Sequence, residues 1–274
     1  MAEECRDEGH GGLAAISALS GQVGVDCPEE LLAAWSRQAM ADGKQVGDLQ
    51  ALMERIVRRR NEHRIGMLLQ TSRLPQVARK TFANYDLGRL SGENGKMVEH
   101  LQSLDFIPLG ENVVIVGDPG TGKTHLAQAI GNACCDRLVP ARYYKLPELV
   151  DKLRRSMDRE TEGQTILHLV SVPCLIIDEV GYCGKLGEKE SDLFFQLLDR
   201  RYDHAGCSTV FTSNRMPSEW RELFHDALTA KSTLDRIMDR CIAIELRGAS
   251  YRGQQRKVFK VNCSPLPVVS GLRP

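Results

Sequence analysis

The chain has 274 residues, with 36 Lys and Arg against 36 Asp and Glu, so its net charge is zero. That length accommodates one sizeable α/β domain plus a smaller piece, and the composition is that of an ordinary soluble globular protein. No apolar run approaches a membrane span, and the acidic N-terminus lacks the basic-then-apolar layout of a secretory signal, so a cytoplasmic protein with no membrane partner is expected.

The charge is unevenly placed. Residues 1–30 hold seven acids and a single base, Arg6. Residues 54–80 hold eight Arg and Lys against two Glu. Beyond Leu246 there is no acid, but Arg247, Arg252, Arg256, Lys257, Lys260 and Arg273 follow. Such asymmetry points mildly to a polyanion partner. The nine cysteines are scattered, with no Cys-x-x-Cys, and read as buried or idle thiols rather than as zinc ligands or disulfides.

In chain order, residues 1–28 are acidic and rich in Gly and Ala, and read as a loose tail. From Glu29 to about Arg73 the apolar residues recur at three- and four-residue steps (Val46, Leu49, Met53, Ile56, Val57), which predicts helix until Pro75 ends it. Residues 76–110 read as linker and short helix, with Met97, Val98, Leu101 and Leu104 as one stripe. The α/β core is expected over 111–252. Strands are predicted at 112–116, 141–145, 174–178, 209–213 and 242–246. Helices are predicted from the loop at 117–124 to about Asp136, over 146–159 and 190–204, and within 217–240. Strands separated by helices imply a five-stranded parallel sheet with right-handed crossovers. Residues 253–274 read as a basic, Pro-containing tail, and the 28 residues after Leu246 are too few for an independent domain.

The run Gly117-Asp118-Pro119-Gly120-Thr121-Gly122-Lys123-Thr124 follows the apolar strand Val113–Val116 and opens a helix. Its glycines let backbone N–H groups turn inward around phosphate oxygens, helped by the positive end of the helix dipole. Lys123 can reach the β- and γ-phosphates, the Thr124 hydroxyl can ligate Mg²⁺, and His125 follows on the same turn. ATP and Mg²⁺ are therefore the expected cofactors. A second acidic motif, Asp178-Glu179, ends a wholly apolar strand. Asp178 is placed on the metal side and Glu179 is placed to polarise the attacking water. Having both acids favours hydrolysis over phosphoryl transfer to another small molecule. Asn214 ends the next strand, where its amide could orient water. Arg236 and Arg240 lie four apart on one helix face, and an arginine there can stabilise charge on a γ-phosphate in cis or from a neighbouring subunit. The pattern alone favours two surface arginines paired with Asp235 and Asp239.

These residues sit within a wider likeness. The stretch from about Leu52 to Arg252 resembles the IstB-type ATPases, helpers of insertion-sequence transposases in the AAA+ superfamily, which are similar in turn to DnaC-type helicase loaders. It is carried by GENVVIVGDPGTGKTHLAQAIG at 110–131, LIIDEVGY at 175–182, FFQLLDRRY at 194–202, TSNRMPSEW at 212–220, LDRI at 234–237, GASYR at 248–252 and the lead-in LPQVARKTFANYD at 74–86. The resemblance implies a P-loop NTPase fold without a C-terminal lid. It makes Asn214 the polar sensor and Arg236 an arginine finger acting across subunits, in a ring or helical filament assembled on double-stranded DNA. It implies a cognate transposase as partner, with a helicase loader as the alternative. Asp118 departs from the Pro or Glu more usual in relatives and puts an acid beside the phosphates. The basic helix face of Arg55, Arg58, Arg59, Arg60 and Arg64 is the candidate contact for DNA phosphates, with little sequence specificity expected.

Overall fold

The computed structural model of the protein describes residues 4–25, 27–39, 43–86, 93–182 and 184–247. The segment 248–252 and the basic tail expected at 253–274 lie outside the described residues.

Five strands form one parallel sheet: β1 (Asn112–Gly117), β2 (Ala141–Lys145), β3 (Cys174–Val180), β4 (Ser208–Ser213) and β5 (Cys241–Leu246). They lie in the order β2-β3-β4-β1-β5. The sequence dictates this burial. Val113 and Ile115 face one side of the sheet and Val114 and Val116 the other, and both sets are buried. Cys174 and Ile176 of β3 alternate in the same way with Leu175 and Ile177. Strands apolar on both faces belong in the middle of a parallel sheet. β5, at the edge, is half exposed.

One layer covers the face of Val113 and Ile115: α4 (Glu93–Ser103), α5 (Lys123–Asp136) and the lead-in at 74–86. The opposite layer is α6 (Leu146–Asp158), α7 (Glu162–Val170), α8 (Glu188–Tyr202), a 3-10 segment at Pro217–Leu223 and α9 (Ala227–Asp239). Each fully buried Leu or Ile contributes about 1.5–3 kcal/mol, which makes these two layers the main source of stability. Of the expected stripe, Val98, Leu101 and Leu104 are buried, and Met97 faces out. The helix α7 has no counterpart in the sequence reading.

The N-terminal part differs from expectation in two ways. The segment read as an acidic tail contains a helix, α1 (Glu4–Gln22). Its Leu13 and Ile16, one turn apart, find a partner surface in Leu32 and Val46 that composition alone does not reveal. The single long helix expected from Glu29 is two: α2 (Glu29–Ala39) and α3 (Gly43–Thr71). The far end of α3 docks on the core through Leu68 and Leu69. No helix among the described residues is long and apolar enough to cross a membrane.

Candidate nucleotide site

The loop between β1 and α5 begins at Gly117, with φ +147°; a Cβ there would lie 2.2 Å from the carbonyl oxygen of Leu246 on β5, so only glycine fits. It ends at Gly122, left-handed with φ +101°, which turns the chain into the first residue of α5. The loop is closed by Thr121, whose hydroxyl donates to the Asp118 carbonyl at 2.8 Å. The Lys123 ammonium is nearly buried and donates to the carbonyls of Gly117 and Asp118, each at 2.7 Å. The N-terminus of α5, the positive end of its dipole, thus follows directly on this loop.

Asp178 is fully buried at the end of β3. Its Oδ1 accepts the Thr124 hydroxyl at 3.0 Å and the Thr212 hydroxyl; its Oδ2 accepts the Tyr143 hydroxyl. Hydrogen bonds to a charged group contribute about 1.5–3 kcal/mol each, which offsets the cost of burying the carboxylate. The ladder between β3 and β4 breaks between Ile177 and Val180, and Glu179 has φ +61°. A bulge here re-aims one side chain out of the sheet. The Glu179 N–H is caught by Thr212 Oγ1 at 3.1 Å, while its carboxylate takes the Lys145 ammonium at 2.9 Å. That hydrogen bond holds the Lys145 ammonium above the ordinary lysine value.

β4 ends in Ser213, fully enclosed, which donates to the Val180 carbonyl at 2.6 Å and accepts the Trp220 indole N–H at 3.1 Å. Trp220 is buried against Phe211, with ring centroids 5.8 Å apart. The loop at 214–216 is therefore pinned at both ends, and Asn214 is exposed at its start. A cleft of about 180 Å³ brings Pro119, Gly120, Lys123, Thr124, Asp178, Glu179 and Asn214 together, with Tyr182 at its rim.

Gly117, Asp118, Thr121 and Gly122 shape the loop without lining this cleft, and His125 and Arg236 are engaged elsewhere. His125 faces the lead-in: its Nε2 lies 2.8 Å from Asn84 Oδ1, and its ring meets the Tyr85 ring edge-on at 5.1 Å. Burial lowers its pKa. Arg236 is held on α8, its Nε 2.5 Å from Asp199 Oδ1 and its guanidinium over Phe195. The Asn112 amide donates to the carbonyls of Arg236 and Ile237 at 3.4 and 3.2 Å. Asn112 opens β1 and Gly117 closes it, so the Arg236 backbone lies about 16 Å along the strand from the phosphate loop. Arg55, Arg58, Arg59, Arg60 and Arg64 are all exposed on α3.

Sequence reasoning did not find Tyr143, Lys145, Thr212 or Ser213. Tyr143 and Lys145 alternate on the predicted strand 141–145, but their meeting with the acidic pair depends on the register that sets Lys145 beside Asp178.

A strand, a glycine loop and a helix cradling a lysine, beside an acidic pair on β3, which lies one strand further along the same parallel sheet, define a P-loop nucleotide-binding protein. The chain belongs to the family of IstB-like ATP-binding proteins, whose sequence profile matches residues 28–258. It is 34% identical over 209 residues to an insertion sequence IS21 putative ATP-binding protein of Pseudomonas aeruginosa, covering 74% of this chain and 77% of the relative. It is also 34% identical over 208 residues to an insertion sequence IS5376 putative ATP-binding protein of Geobacillus stearothermophilus, covering 76% and 80%. Among solved structures, DnaI matches with a TM-score of 0.51 at 24% identity, covering 63% of this chain and 90% of DnaI. AMPPCP-bound DnaA from Aquifex aeolicus matches with a TM-score of 0.52 at 23% identity, covering 64% and 51%. These two share the fold. Family and fold together support an ATPase activity in general.

Proposed function

We propose that this protein hydrolyses ATP in a site completed by a second copy of itself. In this reading, the cycle drives its assembly on double-stranded DNA and its engagement of an insertion-sequence transposase in the cytosol. The observation that carries the reading is the separation of Arg236 from the cleft. Its backbone sits at the opposite end of β1 from Gly117, and its side chain is engaged by Asp199. An arginine so placed serves the phosphates of a neighbour, in a ring or filament, rather than its own.

Within the cleft, Lys123 and the N–H groups of the loop neutralise phosphate charge. The Thr124 hydroxyl and Asp178 carboxylate are oxygen donors 3.0 Å apart, a donor set that suits a hard cation, so they would hold Mg²⁺. When bound, that ion supplies charge stabilisation on the phosphates. Glu179 polarises the attacking water and Asn214 orients it. The exposed arginines of α3 contact DNA phosphates without reading bases. The insertion-sequence names of the relatives support the transposase reading over a helicase loader, for which the likeness is one of fold.

The test is complementation. Arg236→Ala and Lys123→Ala proteins, each inactive alone, are mixed and ATP turnover is measured. Recovery of activity is expected, because mixed interfaces pair an intact loop with an intact arginine. Full activity of Arg236→Ala alone would overturn the reading. Turnover with and without DNA and transposase then tests the partners.

A further inference from the structure

Tyr143 lies on β2, the edge strand, in register with Ile176 of β3, and is 5% exposed. Its hydroxyl donates to Oδ2 of Asp178, while Thr124 and Thr212 both use Oδ1. A carboxylate buried this deeply needs donors on both oxygens. Supplying Oδ2 from the β2 side fixes the rotation of the carboxylate and leaves Oδ1 as the oxygen turned to Thr124. Burial, and next the charge of Asp178, push the Tyr143 phenol far above its ordinary pKa, so it remains a donor.

The backbone of Tyr143 is fixed as well. Its N–H donates to the Ser72 carbonyl at 2.8 Å, one residue past α3. Arg142 donates to Thr71 Oγ1 at 3.1 Å, and Arg73 lies 4.6 Å over the Tyr144 ring. β2 cannot slide along β3 without breaking these contacts. The phenol therefore meets Asp178 from an anchored strand.

We infer that Tyr143 is a positioning residue of the nucleotide site, holding Asp178 so that Oδ1 faces the metal side. The inference rests on the reading of Thr124 and Asp178 as the Mg²⁺ residues. Nothing in the recognition of phosphate by Lys123 and the loop depends on it. Loss of the hydroxyl thus weakens the metal-dependent part of ATP binding and spares the metal-independent part.

Tyr143→Phe keeps the ring and deletes only the O–H. ATP affinity of the full chain is measured by calorimetry in EDTA and across a Mg²⁺ series, and Mn²⁺ binding to the ATP complex by electron paramagnetic resonance. In EDTA the variant is expected to match wild type within about twofold, while the Mg²⁺ and Mn²⁺ needed for half-maximal effect rise about fivefold or more. An unchanged metal requirement overturns the inference, and so does an affinity that falls equally with and without metal, which marks a merely structural tyrosine. A wild-type affinity that ignores Mg²⁺ overturns the metal reading itself, and the inference with it. A second readout needs no change at the site. In protein labelled at the tyrosine ζ carbons, the Tyr143 resonance should move with Mg²⁺·ATP and not with ATP in EDTA. A resonance indifferent to the metal overturns the inference even if Tyr143→Phe fails to fold.

Discussion

The Lys145 ammonium lies 2.9 Å from Glu179 Oε1, so the carboxylate assigned to water activation is engaged by a cation from the end of β2. Removing that cation frees the carboxylate. Lys145→Met is expected to raise ATP turnover without DNA about two- to fivefold, whereas Glu179→Gln lowers it at least 100-fold, in the range of general-base removal, with ATP affinity retained. Steady-state turnover and equilibrium ATP binding check both. Because the Lys145 pKa is raised on folding, the contribution of the pair is whole below the ordinary lysine value and is lost only as pH rises through the raised one. Turnover between about pH 6.5 and 8.5 should show no step from Lys145.

Arg201 is a buried cation that donates to the carbonyls of Leu169, Val172 and Ser208 at 2.8, 2.8 and 2.6 Å, and to Thr209 Oγ1 at 2.9 Å. Burial pushes its pKa down to about 10, so it stays charged at neutral pH. Arg201→Met strands several buried acceptors at about 1–3 kcal/mol each, and should cost about 3 kcal/mol or more. Urea unfolding measures this; a loss below about 1 kcal/mol would contradict the structural role.

Trp220→Phe keeps a ring against Phe211 but deletes the indole N–H that Ser213 accepts. The 214–216 loop then loses one of its pins. The expected result is a several-fold lower kcat with ATP affinity within about twofold of wild type. Equal losses in both would show that Trp220 supports the whole cleft rather than the position of Asn214.

If the arginines of α3 contact DNA phosphates, binding must weaken steeply with salt. Replacing Arg55, Arg58 and Arg59 with Ala should lower the slope of log affinity against log salt by up to about 0.9 for each phosphate no longer neutralised. Affinity measured from low to high salt decides it. An unchanged slope would remove α3 from the DNA interface.

Legibility in the sequence follows how local the physics is. The phosphate loop is readable because its glycines and Lys123 act within eight residues, and the central strands because Val113–Val116 and Leu175–Ile177 are apolar on both faces. The helix α1 is not readable. Its Leu13 and Ile16 are too few to outweigh an acidic, Gly-rich context, and the surface that buries them belongs to distant residues. Tyr143 and Lys145 escape notice because strand pairing, not spacing along the chain, sets them beside Asp178 and Glu179. His125 follows Thr124 directly, yet α5 turns it toward the lead-in, where Asn84 and Tyr85 receive it.

The 29 residues of α3 make a rod about 43 Å long. It rests on the core near Leu69, with Ser72 a few ångströms to one side and Val46 about 35 Å to the other. Rod geometry makes this an unequal lever with a ratio of roughly eight. A displacement of about 0.5 Å at the Ser72–Tyr143 bond would sweep the helical bundle at the far end through about 4 Å, more than the rise of two helical residues.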